Sequence, residues 1–231
     1  LNGKIADATG GLPIYNTTDD YGEVKGSGYA ADSSAGTTDG TGLVYALPGD
    51  VIDGDVHHLI NTGSSKKTTT ATGDVEVSTA ESRLYGSSLY FDGSGDKIST
   101  GSDADFATGT GAFTYELWFW WDDQSANATV GCTRGASNNA NGWSIDIITS
   151  DNKIQMWKDS VNNATPNGSI IPKQWTHFAC VRDGSNTMKF YIDGVEKSSA
   201  TVNNDFTASG NGLTLGNVDG GNNFKGYYQD V

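Results

Sequence analysis

Between Gly111 and Asp123 the chain reads GAFTYELWFWWDD, and strand alternation sorts this run into two faces. Phe113, Tyr115, Leu117, Phe119 and Trp121 fall on one side; Thr114, Glu116, Trp118, Trp120 and Asp122 fall on the other. The first set is continuous and apolar. It predicts a strand that seals a core, each large side chain contributing about 1.5–3 kcal/mol on burial. The second set mixes carboxylates with two indoles, which makes Trp118 and Trp120 candidates for a solvated or partner-covered surface. Similar short apolar runs recur from about Gly42 onward, punctuated by Gly, Asn and Asp, and none has a useful helical period. The pattern is all-β.

Turn chemistry adds connections. In MKFYIDGVEKSSATV, Asp193-Gly194 separates two alternating runs, the dipeptide favoured by a tight hairpin because both turn residues need positive φ. Asp183-Gly184 repeats the device with a longer loop, so a three-strand meander is expected from Trp175 to Val202. SSLYFDGSGDKIST is expected to form a further pair turning at Asp92 to Asp96. SDADFATG holds the one plausible helical turn, with Ser102 as its cap.

Composition sets the scale. With 231 residues, 31 Gly and 35% apolar content, the chain can fill one sandwich or barrel but hardly two domains. Residues Leu1 to about Thr41 carry few large apolar groups and are expected to form an extended arm or connector, ordered by neighbouring chains rather than by a core of its own. Acidic residues number 28 against 14 basic ones, and a formal charge of −14 disfavours nucleic acid and anionic membranes as partners. No stretch approaches the roughly 20 apolar residues of a membrane helix, so no membrane insertion is expected. Leu1 is followed by no basic-then-apolar leader, and the chain is read as part of something longer. Cys132 and Cys180 are too few for a disulfide framework and are expected to be free thiols.

The order of SSLYFDGSGDKIST, FATGTGAFTYELWFWW, PKQWTHFACVRDGSNTMKFYIDGVEKSSATV and GLTLGNVDGGNNFKGYYQDV resembles the laminin-G-like or concanavalin A-like lectin domain. That resemblance covers about Gly42 to Val231. It implies a two-sheet antiparallel jelly-roll sandwich, with a further edge strand beyond Val231. The upstream stretches GLPIYNTTDDYGEVKGSGYAADSSAG and GLVYALPGD are similar to sequences flanking this domain in virion structural proteins of tailed phages of marine bacteria.

Glycoside hydrolases of this fold resemble one another in a strand bearing Glu-x-Asp-x-x-Glu, which places nucleophile, helper and acid on one face. The corresponding stretch here is WSIDIITS, with Ser144 and Thr149 at the Glu positions. Asp146 alone remains, and one carboxylate cannot be both nucleophile and proton donor. No catalytic residue is therefore expected, and Asp146 reads as a solvated strand residue. Of the three histidines, His57 and His58 adjoin a loop, and His177 reads as a satisfied core histidine. Arg134 near Cys132 could depress a thiol pKa, but no paired base is close in sequence.

Two binding chemistries stay open. The resemblance implies Ca²⁺ held by Asp side chains and backbone carbonyls at a sheet edge, with Asp92, Asp96 and Asp230 at matching positions. The other reading of these residues is that they bond their own turns. Sugar recognition needs an exposed ring plus polar groups. Trp120, Trp143, Trp157 and the loop residues Asn138, Asn139 and Asn141 supply them; alternatively Trp143 and Trp157 pack within adjoining strands. Together these features lead us to expect a non-enzymatic virion structural and adhesion module, extracellular or on the virion surface. Its partners would be a cell-surface glycan, neighbouring virion proteins or copies of itself. The alternative is a secreted polysaccharide-binding module or hydrolase of the concanavalin A-like class.

Overall fold

The computed structural model describes residues 14–15, 24–25, 45, 47, 49, 69–134, 142–207, 212–218 and 221–231. Most of the expected arm, together with His57, His58, Asn138, Asn139 and Asn141, lies outside these residues. Strands β1 (Ile14–Tyr15) and β2 (Val24–Lys25) pair antiparallel.

The remaining strands form two seven-stranded antiparallel sheets. Sheet I runs, edge to edge, β11 (Ser160–Ala164), β10 (Lys153–Lys158), β9 (Ser144–Ile148), β8 (Ala128–Cys132), β15 (Thr214–Leu215), β6 (Lys97–Thr100) and β3 (Thr69–Thr72). Sheet II runs β14 (Val195–Thr201), β13 (Thr187–Ile192), β12 (Trp175–Arg182), β7 (Phe113–Trp121), β16 (Lys225–Gln229), β5 (Ser88–Asp92) and β4 (Glu76–Ser78). One continuous core lies between them. Its sheet II wall includes Phe91, Leu117, Phe119, Trp121 and Phe178, and its sheet I wall Ile98, Ile145, Ile147, Ile154 and Met156. The alternation expected in β7 holds: Tyr115, Leu117, Phe119 and Trp121 are buried, and Phe113 packs at the margin on Phe206 at 5.5 Å between ring centroids.

Two tyrosines bolt the sheets together. A bulge between Thr129 and Gly131 in β8 turns carbonyls out of the ladder, and Tyr115 Oη donates to Val130 O at 3.2 Å while Tyr228 Oη donates to Thr129 O at 3.2 Å. Burial pushes both phenol pKa values up. Gly226 lets β16 close on β7, because its φ is 141° and a Cβ there would run into the Trp120 carbonyl. Beyond β16, Val231 and Leu47 exchange backbone hydrogen bonds of 2.8 and 3.1 Å.

The meander is present as β12–β13–β14, and its Asp193-Gly194 turn has φ of 49° and 76°. Cys132 and Cys180 are not joined in a disulfide, and both are buried. Four expectations are corrected. Strands β5 and β6 do not pair with each other: β5 lies between β16 and β4 in sheet II, and β6 between β15 and β3 in sheet I. The turn at Asp92 to Asp96 carries the chain across the sandwich, using glycines at φ of 89° and 84°, the same local chemistry a hairpin uses. The one-turn 3-10 helix Ala104–Phe106 is capped by Asp103 and not Ser102, since Asp103 Oδ1 accepts from Asp105 N at 2.9 Å. His177 is not a core residue. Thr176, Phe178 and Cys180 take the inward positions of β12, leaving His177 half-buried on the outside, 5.2 Å from the Trp118 ring. Nor is Asp146 solvated; it is buried on the outer side of sheet I.

Candidate functional site

The outward positions of sheet II carry an aromatic row. Register places Tyr90 of β5 beside Tyr227 of β16, Tyr227 beside Trp120 of β7, and Trp120 beside Trp175 of β12. Each is half-buried, because its strand neighbours point into the core. Ring centroids are 5.0 Å apart for Tyr90–Tyr227 and 5.4 Å for Tyr227–Trp120. Burial, followed by nearby Tyr90, raises the Tyr227 pKa.

Polar groups border the row. On one side Asp92, Lys225, Asp122 and Lys173 follow one another across the same strands and the segment before β12. Lys225 Nζ lies 2.7 Å from Asp122 Oδ2, and Lys173 Nζ lies 3.6 Å from Asp122 Oδ1. The hydrogen bond from Lys225 holds the Asp122 carboxyl below its usual range and raises the lysine in turn. On the other side the exposed Arg83 guanidinium sits 4.9 Å over the Trp118 ring, and His177 Nε2 is 3.8 Å from Glu116 Oε2. The backbone N–H groups of Arg83 and Leu84 donate to Gln229 Oε1 at 3.0 and 2.9 Å, which ties their segment to β16.

Sheet I offers a different outer cluster. Asp146 accepts from Thr129 Oγ1 at 2.8 Å and from Ser144 Oγ at 2.7 Å. Burial raises its pKa against those two bonds and the charge of Arg134. Arg134 lies 4.2 Å over the Trp157 ring and donates to Ser144 Oγ at 3.4 Å. Among the described residues this arrangement holds one carboxylate among hydroxyls and no second one beside it for acid–base work.

A third cluster sits where the chain crosses between sheets. Carboxylate oxygens of Asp74, Asp92 and Asp96 lie within 4.8 Å of one another, a donor set that could hold a metal ion. Asp96 is buried, its Oδ1 accepting from Asp74 N at 2.9 Å and its Oδ2 from Asp92 N at 2.8 Å. Burial raises its pKa, and the two neighbouring carboxylates add to the shift. Each of those oxygens keeps a further lone pair, so the corner offers three hard oxygen donors, the ligand type of a hard divalent cation.

Residues 92–231 match the Concanavalin A-like lectin/glucanases superfamily. The chain belongs to this superfamily. Among solved structures its fold is similar to domain 4 of AbnA, a GH43 extracellular arabinanase from Geobacillus stearothermophilus in complex with arabinotriose. That likeness has a TM-score of 0.56 and 20% identity, over 81% of this chain and 89% of that one. It is also similar to the receptor binding domain of botulinum neurotoxin D, with a TM-score of 0.59 and 13% identity over 82% of this chain and 48% of that one. A botulinum neurotoxin type C structure, described as dependent on two ganglioside molecules for cell entry, gives 0.57 and 17% over 82% and 47%. The chain thus spans about half the length of those neurotoxin structures. A comparison with curated protein sequences finds no match.

Within this concanavalin A-like sandwich, the sugar-binding residues expected from sequence do not converge. Trp120 belongs to the outer face of sheet II and Trp157 to the outer face of sheet I, on opposite sides of the molecule. Trp143 is core, 6% exposed and in edge contact with Tyr115 at 5.7 Å, so it presents no open face. Asn138, Asn139 and Asn141 are among the residues not described. Of the expected metal ligands, Asp92 and Asp96 meet, but Asp230 is at the opposite end of β16 from Lys225, the partner of Asp92. Five residues of strand put it about 17 Å away. Instead Asp230 accepts from Tyr85 Oη at 3.1 Å, and Asp74 takes the third place in the cluster. Tyr90, Tyr227 and Trp175 carry no binding signal in the sequence itself. Alternation in SLYFD and KGYYQ turns Tyr90 and Tyr227 outward, yet nothing local says that these strands flank β7.

Proposed function

We propose that the chain is a non-enzymatic adhesion module that contacts glycans, carried on the surface of a virion and packed there against neighbouring virion proteins or further copies of itself. The observation that carries the glycan reading is the outer aromatic row Tyr90–Tyr227–Trp120–Trp175, bordered by carboxylates, lysines and an arginine. Rings of this kind stack on the apolar faces of sugars while side chains at their edges bond the hydroxyls. The virion placement is supported by the similarity of the upstream sequence to phage structural proteins. Ser144 and Thr149 beside Asp146 support a binding role over hydrolysis. In this reading Asp74, Asp92 and Asp96 hold Ca²⁺ and stiffen the crossing between sheets next to Tyr90.

The arabinotriose complex of the similar arabinanase domain favours a second reading, a secreted polysaccharide-binding module. One experiment addresses both glycan binding and catalysis: immobilised laminarin, arabinan and cellulose are incubated with the protein, and retention and released reducing ends are measured. Retention without release is expected. Release that survives purification controls and is lost in Asp146→Ala would make the chain a hydrolase. Antibody to the sandwich that fails to decorate intact virions of the encoding phage would favour the secreted module.

A further inference from the structure

We infer that the outer face of sheet II pairs with the same face of a second copy of this chain, about a two-fold axis that runs along the strands between β16 and β7. The pairing specifies how copies of the chain associate. It rests on the glycan reading above for what it covers, the aromatic row, so that a second copy and a glycan compete for one face.

Charge fixes the axis. Four charged residues cross sheet II at one level: Asp92 at the end of β5, Lys225 at the start of β16, Asp122 just after β7 and Lys173 just before β12. Their order is acid, base, acid, base, which is its own complement when reversed. A two-fold axis along the strands at the centre of the row sets Asp92 opposite the partner's Lys173 and Lys225 opposite the partner's Asp122. An axis across the strands at the same level sets each charge opposite itself, which is repulsive throughout. A two-fold contact must be self-complementary, and the first axis makes it so. The charges of the row also cancel, on a chain whose formal charge is −14, so two acidic molecules can meet here.

The rings supply the contact. They stand on the same four strands, one outward position further in, so the same axis brings Tyr227 over the partner's Trp120 and Tyr90 over the partner's Trp175. Exposed ion pairs are worth about 1 kcal/mol or less, so the charges set orientation and the rings set affinity. Ring planes are tilted by 41° in Tyr90–Tyr227 and by 81° in Tyr227–Trp120. They offer edges and notches rather than a flat platform, which suits rings from a second copy, since aromatic pairs favour edge-to-face contact. Leu84 is 46% exposed, and its backbone N–H is bonded to Gln229 of β16, which places it near the axis and its own copy. Four strands about 4.8 Å apart make the face about 14 Å wide, smaller than a standard interface, so the dimer is weak and reversible.

The test is sedimentation equilibrium of the full chain, without glycan, from about 5 to 500 µM, the range of a weak interface. A reversible monomer–dimer equilibrium is expected. Lys225→Glu and Asp122→Lys each place like charges opposite one another across the axis, and each should weaken the dimer about tenfold. Mixing the two variants restores opposite charges at both places, and a heterodimer tighter than either homodimer is expected. Leu84→Asp should also weaken self-association while retention on immobilised glycan stays at least that of the parent, because Leu84 lies outside the row of rings. Thermal melts confirm that the variants are folded. A chain that stays monomeric over the whole range, or a dimer that the charge variants leave unchanged or that mixing does not restore, would overturn the inference, and the glycan reading would still stand on its own retention assay. A dimer restored by mixing, with no glycan retained, would keep the pairing and remove the glycan reading. A retained glycan should shift the equilibrium towards monomer; retention without that shift would refute the competition.

Discussion

Trp120 and Tyr227 meet edge to face across neighbouring strands β7 and β16, with ring centroids 5.4 Å apart and planes at 81°. The next residue along β7, Trp121, is 1% exposed in the core. Two adjacent tryptophans therefore do different work, and substitution separates them. Trp121→Ala empties a large core position and is expected to cost about 3–5 kcal/mol. Trp120→Ala removes outer contacts and is expected to cost about 1 kcal/mol. Urea unfolding of both variants measures the difference, and equal losses would mean that the outer ring is as structural as the inner one.

The tyrosine bolts between the sheets predict a small, specific penalty. Tyr228→Phe leaves the core filled but deprives the Thr129 carbonyl of its donor, and should destabilise the protein by about 1–2 kcal/mol. Tyr115→Phe should do the same through Val130. Because both carbonyls belong to one bulge, the double variant is expected to depart from additivity in a double-mutant cycle.

Asp230 makes stability depend on pH. Burial raises its carboxyl from 3.8 to about 6. The folded protein therefore holds a proton there that the unfolded chain releases, so the stabilisation is complete below about pH 4 and is lost as pH rises through about 6. Asp230→Asn keeps an acceptor for Tyr85 Oη and tolerates the φ of 59° at this position. It should be more stable than the parent at pH 7.5 by about 2 kcal/mol, with the gap closing towards pH 4. Thermal melts across that range provide the check.

The Asp74–Asp92–Asp96 corner predicts a response to Ca²⁺. At a hundred times its dissociation constant, a cation bound only by the folded state adds about 2.7 kcal/mol, visible as a raised Tm that EDTA reverses. Asp74→Asn should weaken that response while leaving the melt in EDTA nearly unchanged, because its side chain is exposed. Asp96→Asn should lower the melt in EDTA as well, since Asp96 accepts the backbone N–H groups of Asp74 and Asp92. A Tm indifferent to Ca²⁺ would reduce the cluster to a turn-forming device.

Periodicity was enough to establish the all-β class, the inward face of β7 and the β12–β13–β14 meander. In each case the signal is local: alternation decides which side chains share a face, and Asp193-Gly194 decides that the chain reverses. The same locality explains the errors. The Asp92 to Asp96 turn looks identical whether the next strand returns to its own sheet or crosses to the other, and only the whole sandwich made it a crossing. Asp146 and His177 exchanged their expected environments because burial depends on what covers a strand, not on the strand's own pattern. The aromatic row is decided entirely by tertiary structure. Tyr90, Trp120, Trp175 and Tyr227 are spread over more than half the sequence, and they form one line because β5, β16, β7 and β12 lie side by side in matched register, a long-range pairing that no local pattern encodes.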